Sequence, residues 1–371
     1  MRGVATTGVL SLVMGCFRMR IALLANADSV HTIKWANGLA SRGLEIHLIS
    51  AHRTNYLFNE GVTLYSLPVD APFGYVASLF SLRKLLAEIQ PNVLHAHYAT
   101  GYGLLLRLSG YKPLMLSVWG SDVYDFPNKS FVHKRLVQEN MKVASVLGST
   151  SHCMARQAKR VYDHARIRVT PFGVDEETFR PVKVREGDVI VIGAVKALSH
   201  KYGIDTLIEA FAMVVKALSG REKVALEVTG GGEEEADLRD LVRSLGIETL
   251  VTFYGPVPHA SVPDMINRLD IYVALSRLES FGVAIIEASA CAKPVVVSDA
   301  DGPAEVVING VTGFIVPRND PAAAAKALLK LVHSPELREH MGRLGRAHVI
   351  ENYTWNQSLD IMISVYEEMC I

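Results

Sequence analysis

Short apolar runs alternate along this chain with stretches whose apolar positions recur every three or four residues. The runs predict strands at 20–25, 45–50, 93–97, 114–118, 145–148 and 168–170 in the first half. In the second half they predict strands at 189–195, 224–229, 251–253, 271–274, 294–297 and 314–316. These runs are apolar along their length rather than alternating. Both faces of each strand must therefore be covered, which predicts parallel sheets between layers of helices, an α/β class. One intervening helix is explicit. After Asp205, read as its N-cap, come Leu207, Ile208, Phe211, Val214, Val215 and Leu218, a stripe that lies on one face.

Residues 171–181 are rich in turn formers and charge, and they interrupt the alternation. One strand–helix series ends there and another begins at 188–193, which sets a domain boundary near residue 182. The chain is expected to divide into a domain over 19–182, a second over 183–352 and a C-terminal segment over 353–371. In doubly wound sheets ligands bind beyond the carboxyl ends of the strands, so two such domains facing each other make a cleft. Residues 1–18 are set apart. Val4 to Phe17 is apolar behind Arg2 but too short to span a bilayer. Met19 stands just before the first strand, so the segment reads as an extension or a misplaced start rather than an export signal.

Composition narrows the function. A length of 371 residues suits roughly two domains of about 150 each. Lysine plus arginine equals aspartate plus glutamate at 38 each, so bulk charge gives no support for nucleic-acid binding. Cys16, Cys153, Cys291 and Cys370 have no zinc-ligand spacing and suggest no disulfide framework. Scattered reduced cysteines fit a cytoplasmic protein.

The chemistry concentrates in the second half. Glu279, Ser280, Phe281, Gly282 and Val283 follow the strand at 271–274 and open a helix that carries Glu287. The first amides of a helix have no intrahelical partner and carry the positive end of its dipole, so a diphosphate fits there. Glu279 and Glu287 can flank one ligand, and carboxylates accept hydrogen bonds from sugar hydroxyls. On spacing alone they read equally well as surface glutamates. Lys196 and Lys201 follow the strand at 189–195, placed to neutralise a diphosphate or simply to sit solvated in a loop. Gly230-Gly231-Gly232 closes another strand and would let backbone approach a ligand. It is not a GxGxxG, so a nicotinamide cofactor is not indicated.

In this order, these features resemble the retaining glycosyltransferases of family 4, which have the GT-B fold of two Rossmann-like domains facing a central cleft. The resemblance runs from about Met19 to the C-terminus. It is strongest over 188–316, where Glu279 and Glu287 precede Ala-Ser-Ala-Cys-Ala-Lys-Pro-Val-Val-Val-Ser. Phe253-Tyr254-Gly255, which leads to Val257, also matches, as do Gly310-Val311-Thr312-Gly313-Phe314 and Tyr353-Thr354-Trp355. The last lies near a C-terminal helix that in this fold crosses back to the first domain. The resemblance implies that Glu279 holds hydroxyls of the transferred sugar and Glu287 the ribose. Lys196, Lys201 and the amides near Phe281, Gly282 and Val283 would grip the diphosphate, with Gly231, Gly255 and Val257 also on the donor side. It implies no metal and no cofactor, and retention of anomeric configuration.

The first domain would bind the acceptor. Its loop Asn26 to Thr32 lacks the Gly-Gly of many relatives, yet Ser29, His31 and Thr32 can reach the cleft. Trp119 stands where the family commonly has His. Its indole donates but cannot act as a base, which leaves Asp122 and His97 as the nearest polar candidates for catalysis. Asp299-Ala300-Asp301 is a DxD, a metal signature of the other major glycosyltransferase fold, and is read here as a turn. Phe131, His133, Lys134, Arg135, Lys142, Arg156, Lys159, Arg160, His164, Arg166 and Arg168, with Tyr75 and Phe80, suggest a basic, partly apolar face. Such a face suits a peripheral contact with anionic lipid or a lipid-linked acceptor. The expectation is transfer of a hexosyl group from a nucleoside-diphosphate sugar, UDP-linked, to a glycan or lipid-linked saccharide in surface polysaccharide assembly. A nucleotide-sugar epimerase, a phosphorylase and a non-catalytic carbohydrate-binding protein of the same fold stand as alternatives.

Overall fold

The protein is described by a computed structural model over residues 18–183, 187–220 and 223–371. The expected N-terminal extension, Arg18 apart, lies outside the described residues. Two all-parallel sheets organise the chain. The first contains β1 (Arg20–Leu24), β2 (Glu45–Ser50), β3 (Val62–Ser66), β4 (Val93–His97), β5 (Leu114–Val118), β6 (Val146–Ser149) and β7 (Ile167–Val169). Its strand order is β3-β2-β1-β4-β5-β6-β7. The second contains β8 (Ile190–Val195), β9 (Val224–Thr229), β10 (Val251–Gly255), β11 (Ile271–Ala274), β12 (Val295–Ser298) and β13 (Gly313–Val316), ordered β10-β9-β8-β11-β12-β13. Helices cover both faces, as the unbroken apolar runs require: β4, β5 and β11 are buried along their whole length.

Two details depart from the sequence reading. β3 was not expected. It sits at a sheet edge and is half-buried or exposed at every position, so it needs no continuous apolar run. Asp205 is not an N-cap. The helix Ile204–Leu218 starts after Gly203, and Asp205, inside its first turn, takes two hydrogen bonds from Arg277 at 2.9 and 2.6 Å. The anticipated stripe is real: Leu207, Ile208, Phe211, Val214 and Leu218 are buried against the second sheet's core.

The helix Trp355–Cys370 packs on the first sheet's domain. It opens on a capping box between Thr354 and Gln357, which satisfies two otherwise orphaned amides. Its far end is tied down by a 2.7 Å hydrogen bond between Tyr366 Oη and His95 Nδ1, both fully buried. Trp355 packs on Trp35 with ring centroids 4.8 Å apart. The two crossings between domains run side by side, since Val174 bridges Thr354.

Strand order sets the location of any site. β1 lies between β2 and β4, and β8 between β9 and β11, so each sheet changes winding direction at that strand. The crevice opened there lies at the strands' carboxyl ends. The segments following β4 and β5 in one domain, and β8 and β11 in the other, come together around one cavity.

Candidate functional site

That cavity, about 320 Å³, lies between the domains. Lys196, just past β8, lines it, and its backbone passes close to the glycine that follows β9. Gly230 holds φ at 141°, and a Cβ there would come within 1.9 Å of the Lys196 carbonyl oxygen. On the other side of β8, the chain leaving β11 carries Glu279, Ser280 and Phe281 to Gly282. Gly282 caps the helix Val283–Ala290 with φ at 108°, conformational ground that side chains rarely occupy. The ladder starts with Ile285 and Ile286, whose amides donate to Gly282 O, so the preceding amides stand outside it.

Lys196 and Glu279 form a largely buried ion pair, and Ser276 donates to the other Glu279 oxygen at 2.7 Å. Burial alone would lower the Lys196 pKa, but the Glu279 carboxylate outweighs it and the value rises, so the ammonium persists. Lys201 places its ammonium 4.8 Å from the centre of the Tyr202 ring, and the carboxylate that feels its charge, Glu233, is fully exposed. With Lys196 balanced by Glu279, Lys201 and the helix N-terminus leave the floor of the cavity electropositive. Asp125 is the acidic residue on the facing wall.

The cavity thus gathers Glu279, Ser280, Phe281, Gly282, Val283, Lys196 and Lys201 with His31 and Trp119. Gly231, Gly255 and Val257 do not line it. Gly230 N donates to Gly255 O, and Gly231 packs on Pro256, so this corner braces the ends of β9 and β10. Glu287 is not on the cavity wall either. It is buried on the helix, with His259 Nε2 3.5 Å away. That hydrogen bond raises the His259 pKa, against the effect of burial.

On the first domain, Asp122 corrects the sequence reading. It is fully buried, is absent from the walls of the interdomain cavity, and accepts hydrogen bonds from the amides of Ala99, Trp119 and Gly120 at 2.9, 3.1 and 2.9 Å. It fixes the turn that presents Trp119 to the cavity. His31 and Thr32 lie in the first turn of the helix Val30–Ser41 rather than in a loop. His31 stacks on Phe172 at 4.4 Å, and burial, aided by Lys34 and His259, pulls its pKa to about 4. Ser29, Thr32 and His97 line a second cavity of about 300 Å³. Trp119 and Tyr98 are walls common to both cavities.

Sequence reasoning missed Tyr98, Tyr202, Ser276 and His259. Tyr202 adjoins Lys201 and Ser276 precedes Glu279 by three, so proximity was the available signal. Nothing in the sequence marks Tyr98, whose φ of 80° is an outlier for a bulky residue. The anticipated DxD is a turn into a helix: Asp299 accepts from Arg318 N and Nε at 3.0 Å, and Asp301 begins the helix Asp301–Val306. The basic face is smaller than expected. His164 is buried and hydrogen-bonded with two backbone carbonyls, Arg166 and Arg168 pair with Glu368, and Tyr75 lines the second cavity. Phe80 and Phe131 are each 81% exposed.

The domains also touch directly. Ser151 Oγ donates to Ser280 O at 2.6 Å. The Glu305 carboxylate accepts from the amides of His152 and Cys153, both at 2.7 Å, at the start of the helix His152–Val161.

Comparison with known proteins follows the two halves. The sequence profile of the glycosyl transferases group 1 matches residues 175–348, and that of the glycosyl transferase 4-like group matches 20–151. A D-inositol 3-phosphate glycosyltransferase from Saccharomonospora viridis is 29% identical over 63% of this chain and 58% of its own length. D-inositol 3-phosphate glycosyltransferase 1 of Catenulispora acidiphila is 26% identical over 92% and 90%. N-acetyl-alpha-D-glucosaminyl L-malate synthase of Bacillus anthracis is 23% identical over 89% and 91%. Among solved structures, sucrose-phosphate synthase from Thermosynechococcus elongatus superposes with a TM-score of 0.81 at 20% identity, covering 95% of this chain and 99% of that one. An Anabaena protein in complex with UDP and glucose gives 0.78 at 17% identity, covering 95% and 100%.

Proposed function

The chain belongs to the group 1, family 4 glycosyltransferases with the GT-B fold, and from that premise we propose that it moves a hexosyl group, with retention, from a UDP-sugar to a glycan or lipid-linked saccharide. The observation that carries this reading is the convergence of Lys196, Lys201, Glu279 and the amides before Val283 on one interdomain cavity. Lys201 and the helix N-terminus suit the diphosphate, and Lys196, with donors to spare beyond Glu279, takes part of the same charge. Glu279 receives hydroxyls of the transferred sugar. Glu287 receives the ribose, once a bound nucleotide reaches past His259. The UDP complexes of the Anabaena neighbour support a uridine donor.

In the reaction, the bond from the sugar C1 to the β-phosphate oxygen breaks while a bond from the acceptor oxygen to C1 forms on the same face. The acceptor proton passes to the departing phosphate oxygen. Negative charge grows on the diphosphate, and fixed cations and amides stabilise it without reorganising. That supply of charge suits metal-independent transfer.

The acceptor is delivered, on this reading, from the inner face of the cell membrane, with the protein otherwise cytoplasmic and its product destined for a surface polysaccharide. Phe73, Val76 and Phe80 are 79, 59 and 81% exposed on the segment that also carries Tyr75 to the second cavity. Exposed aromatics on the segment that carries a cavity-lining residue suit insertion beside a lipid-linked acceptor. No helix among the described residues is long and apolar enough to cross a membrane.

The test is release of UDP from UDP-sugars with an acceptor, in the presence of a chelator. Turnover is expected with wild type and is expected to fall by about 10²–10³ on removing one charge-stabilising donor such as Lys201. Full activity in both Glu279→Gln and Glu287→Gln would overturn the reading.

A further inference from the structure

The second cavity differs from the first in one respect: none of its ten lining residues carries a fixed charge. Its polar groups are hydroxyls, an amide and imidazoles, from Ser29, Thr32, Thr100, Asn26, His52 and His97, and its walls include Trp119 and Tyr75. The imidazoles are neutral at neutral pH, because burial lowers the pKa of His97 strongly and that of His52 to a lesser degree. The charged groups that His52 senses are the carboxylates of Asp70 and Asp28. The adjacent cation, Arg53, is held by Asp70 at 2.8 Å and by the Leu67 carbonyl. An anion entering here finds no cation on the cavity wall, and the charges that reach His52 beyond that wall are carboxylates.

Of the five buried side-chain atoms without a hydrogen-bond partner among the described residues, two belong to this cavity. Thr32 Oγ1 and His97 Nδ1 belong to side chains that are 1% and 3% exposed, and both residues line the cavity. Buried polar atoms are paired in the great majority of cases, and an exception calls for an explanation. Nearby groups are already committed: Asn26 Oδ1 accepts from Asp28 N, and His52 Nδ1 is hydrogen-bonded with Tyr102 Oη at 2.8 Å. Tyr98, with its φ of 80°, stands with Trp119 between this cavity and the donor cavity, and held strain of that kind clusters where ligands are clamped. A volume of about 300 Å³ sits at the small end of the roughly 300–1,000 Å³ range of ligand sites, enough for one ring.

We propose that this cavity receives an uncharged polyhydroxylated ring, the sugar terminus of the acceptor, and discriminates against anionic acceptors. The proposal rests on the glycosyltransferase reading, but it concerns a different cavity. Thr32 Oγ1 and His97 Nδ1 find their partners in the ring's hydroxyls, while Trp119 and Tyr75 offer apolar faces to its C–H groups. Neutral groups pay little to give up water for such a ring. A phosphate or carboxylate would be stripped of water with nothing opposite it.

The experiment is a binding and turnover panel on the full chain in saturating UDP-sugar. It uses p-nitrophenyl glycosides of glucose, galactose, mannose and N-acetylglucosamine, each beside its 6-phosphate, together with inositol beside inositol 3-phosphate. UDP binding, read separately by thermal shift, reports on the donor cavity alone. The expected result is a glycosylated neutral member whose KM is at least tenfold below that of its phosphorylated counterpart. In Thr32→Val, the KM for that acceptor is expected to rise about tenfold, the worth of one hydrogen bond. The ligand-free melting temperature of that variant stays level or rises, because an unpaired buried hydroxyl has been replaced by a methyl of the same shape. A phosphorylated member preferred over its neutral partner, no neutral member accepted while UDP binds, or an unchanged KM in Thr32→Val overturns the proposal. Absence of any UDP shift would instead count against the donor reading.

Discussion

Lys196 and Lys201 occupy the same cavity but in different electrical situations, and their variants separate binding from stability. Lys196→Ala strands the buried Glu279 carboxylate, and breaking a buried pair from one side costs up to about 3–5 kcal/mol. Lys201→Ala leaves behind only the fully exposed Glu233 carboxylate, which water solvates. Urea denaturation should therefore show a large midpoint drop for Lys196→Ala and little change for Lys201→Ala, while both lose turnover. At this scale the sequence named most of the charged residues of the interdomain cavity, because Glu279, Lys196 and Lys201 lie just past predicted strands. It misjudged Asp122, since a carboxylate that binds three backbone amides looks the same in sequence as one facing a substrate. Glu287, equally named, turned out to be buried against His259 instead of lining the cavity.

Helix ends carry the next level of control. Glu305 accepts from the first amides of the helix His152–Val161 across the domain seam. Glu305→Ala should cost about 1 kcal/mol, as loss of a helix-capping acceptor does, and should show as a lower melting temperature. Gly282→Ala places a Cβ 2.9 Å from Ile285 Cδ1 at a φ of 108°. A penalty of about 1–2 kcal/mol is expected from the backbone alone, with a weakened thermal shift by UDP because the anion-facing turn moves. Twelve strands were legible as apolar runs. β3 was not, because an edge strand is buried on too little of its surface to write a pattern.

The assembled molecule should be acid-sensitive. His31 and His95 are held neutral by burial, with pKa values of about 4 and about 3, and His97 is lowered in the same way. Unfolded, each returns to about 6.5. Between those values the unfolded chain binds more protons, so stability rises with pH there and falls as pH drops below 6.5. His259 works in the opposite sense: its raised value adds stability that is complete below 6.5 and lost as pH climbs through the folded pKa. The buried group is larger, so the urea midpoint should fall steadily from pH 6.5 to 4.5. Replacing His97 by Gln should flatten that slope, and an unchanged slope would contradict the assignment.

By itself the sequence determined two parallel-sheet halves and the charged residues just past their strands, because burial on both strand faces and helix-end chemistry are local and periodic. Only the tertiary structure decided that Trp119 and Tyr98 stand between two cavities, one charged and one neutral, and that Thr32 and His97 face the second without partners. Those facts depend on which side chains the fold brings together from separate strands, and no spacing along the chain encodes that.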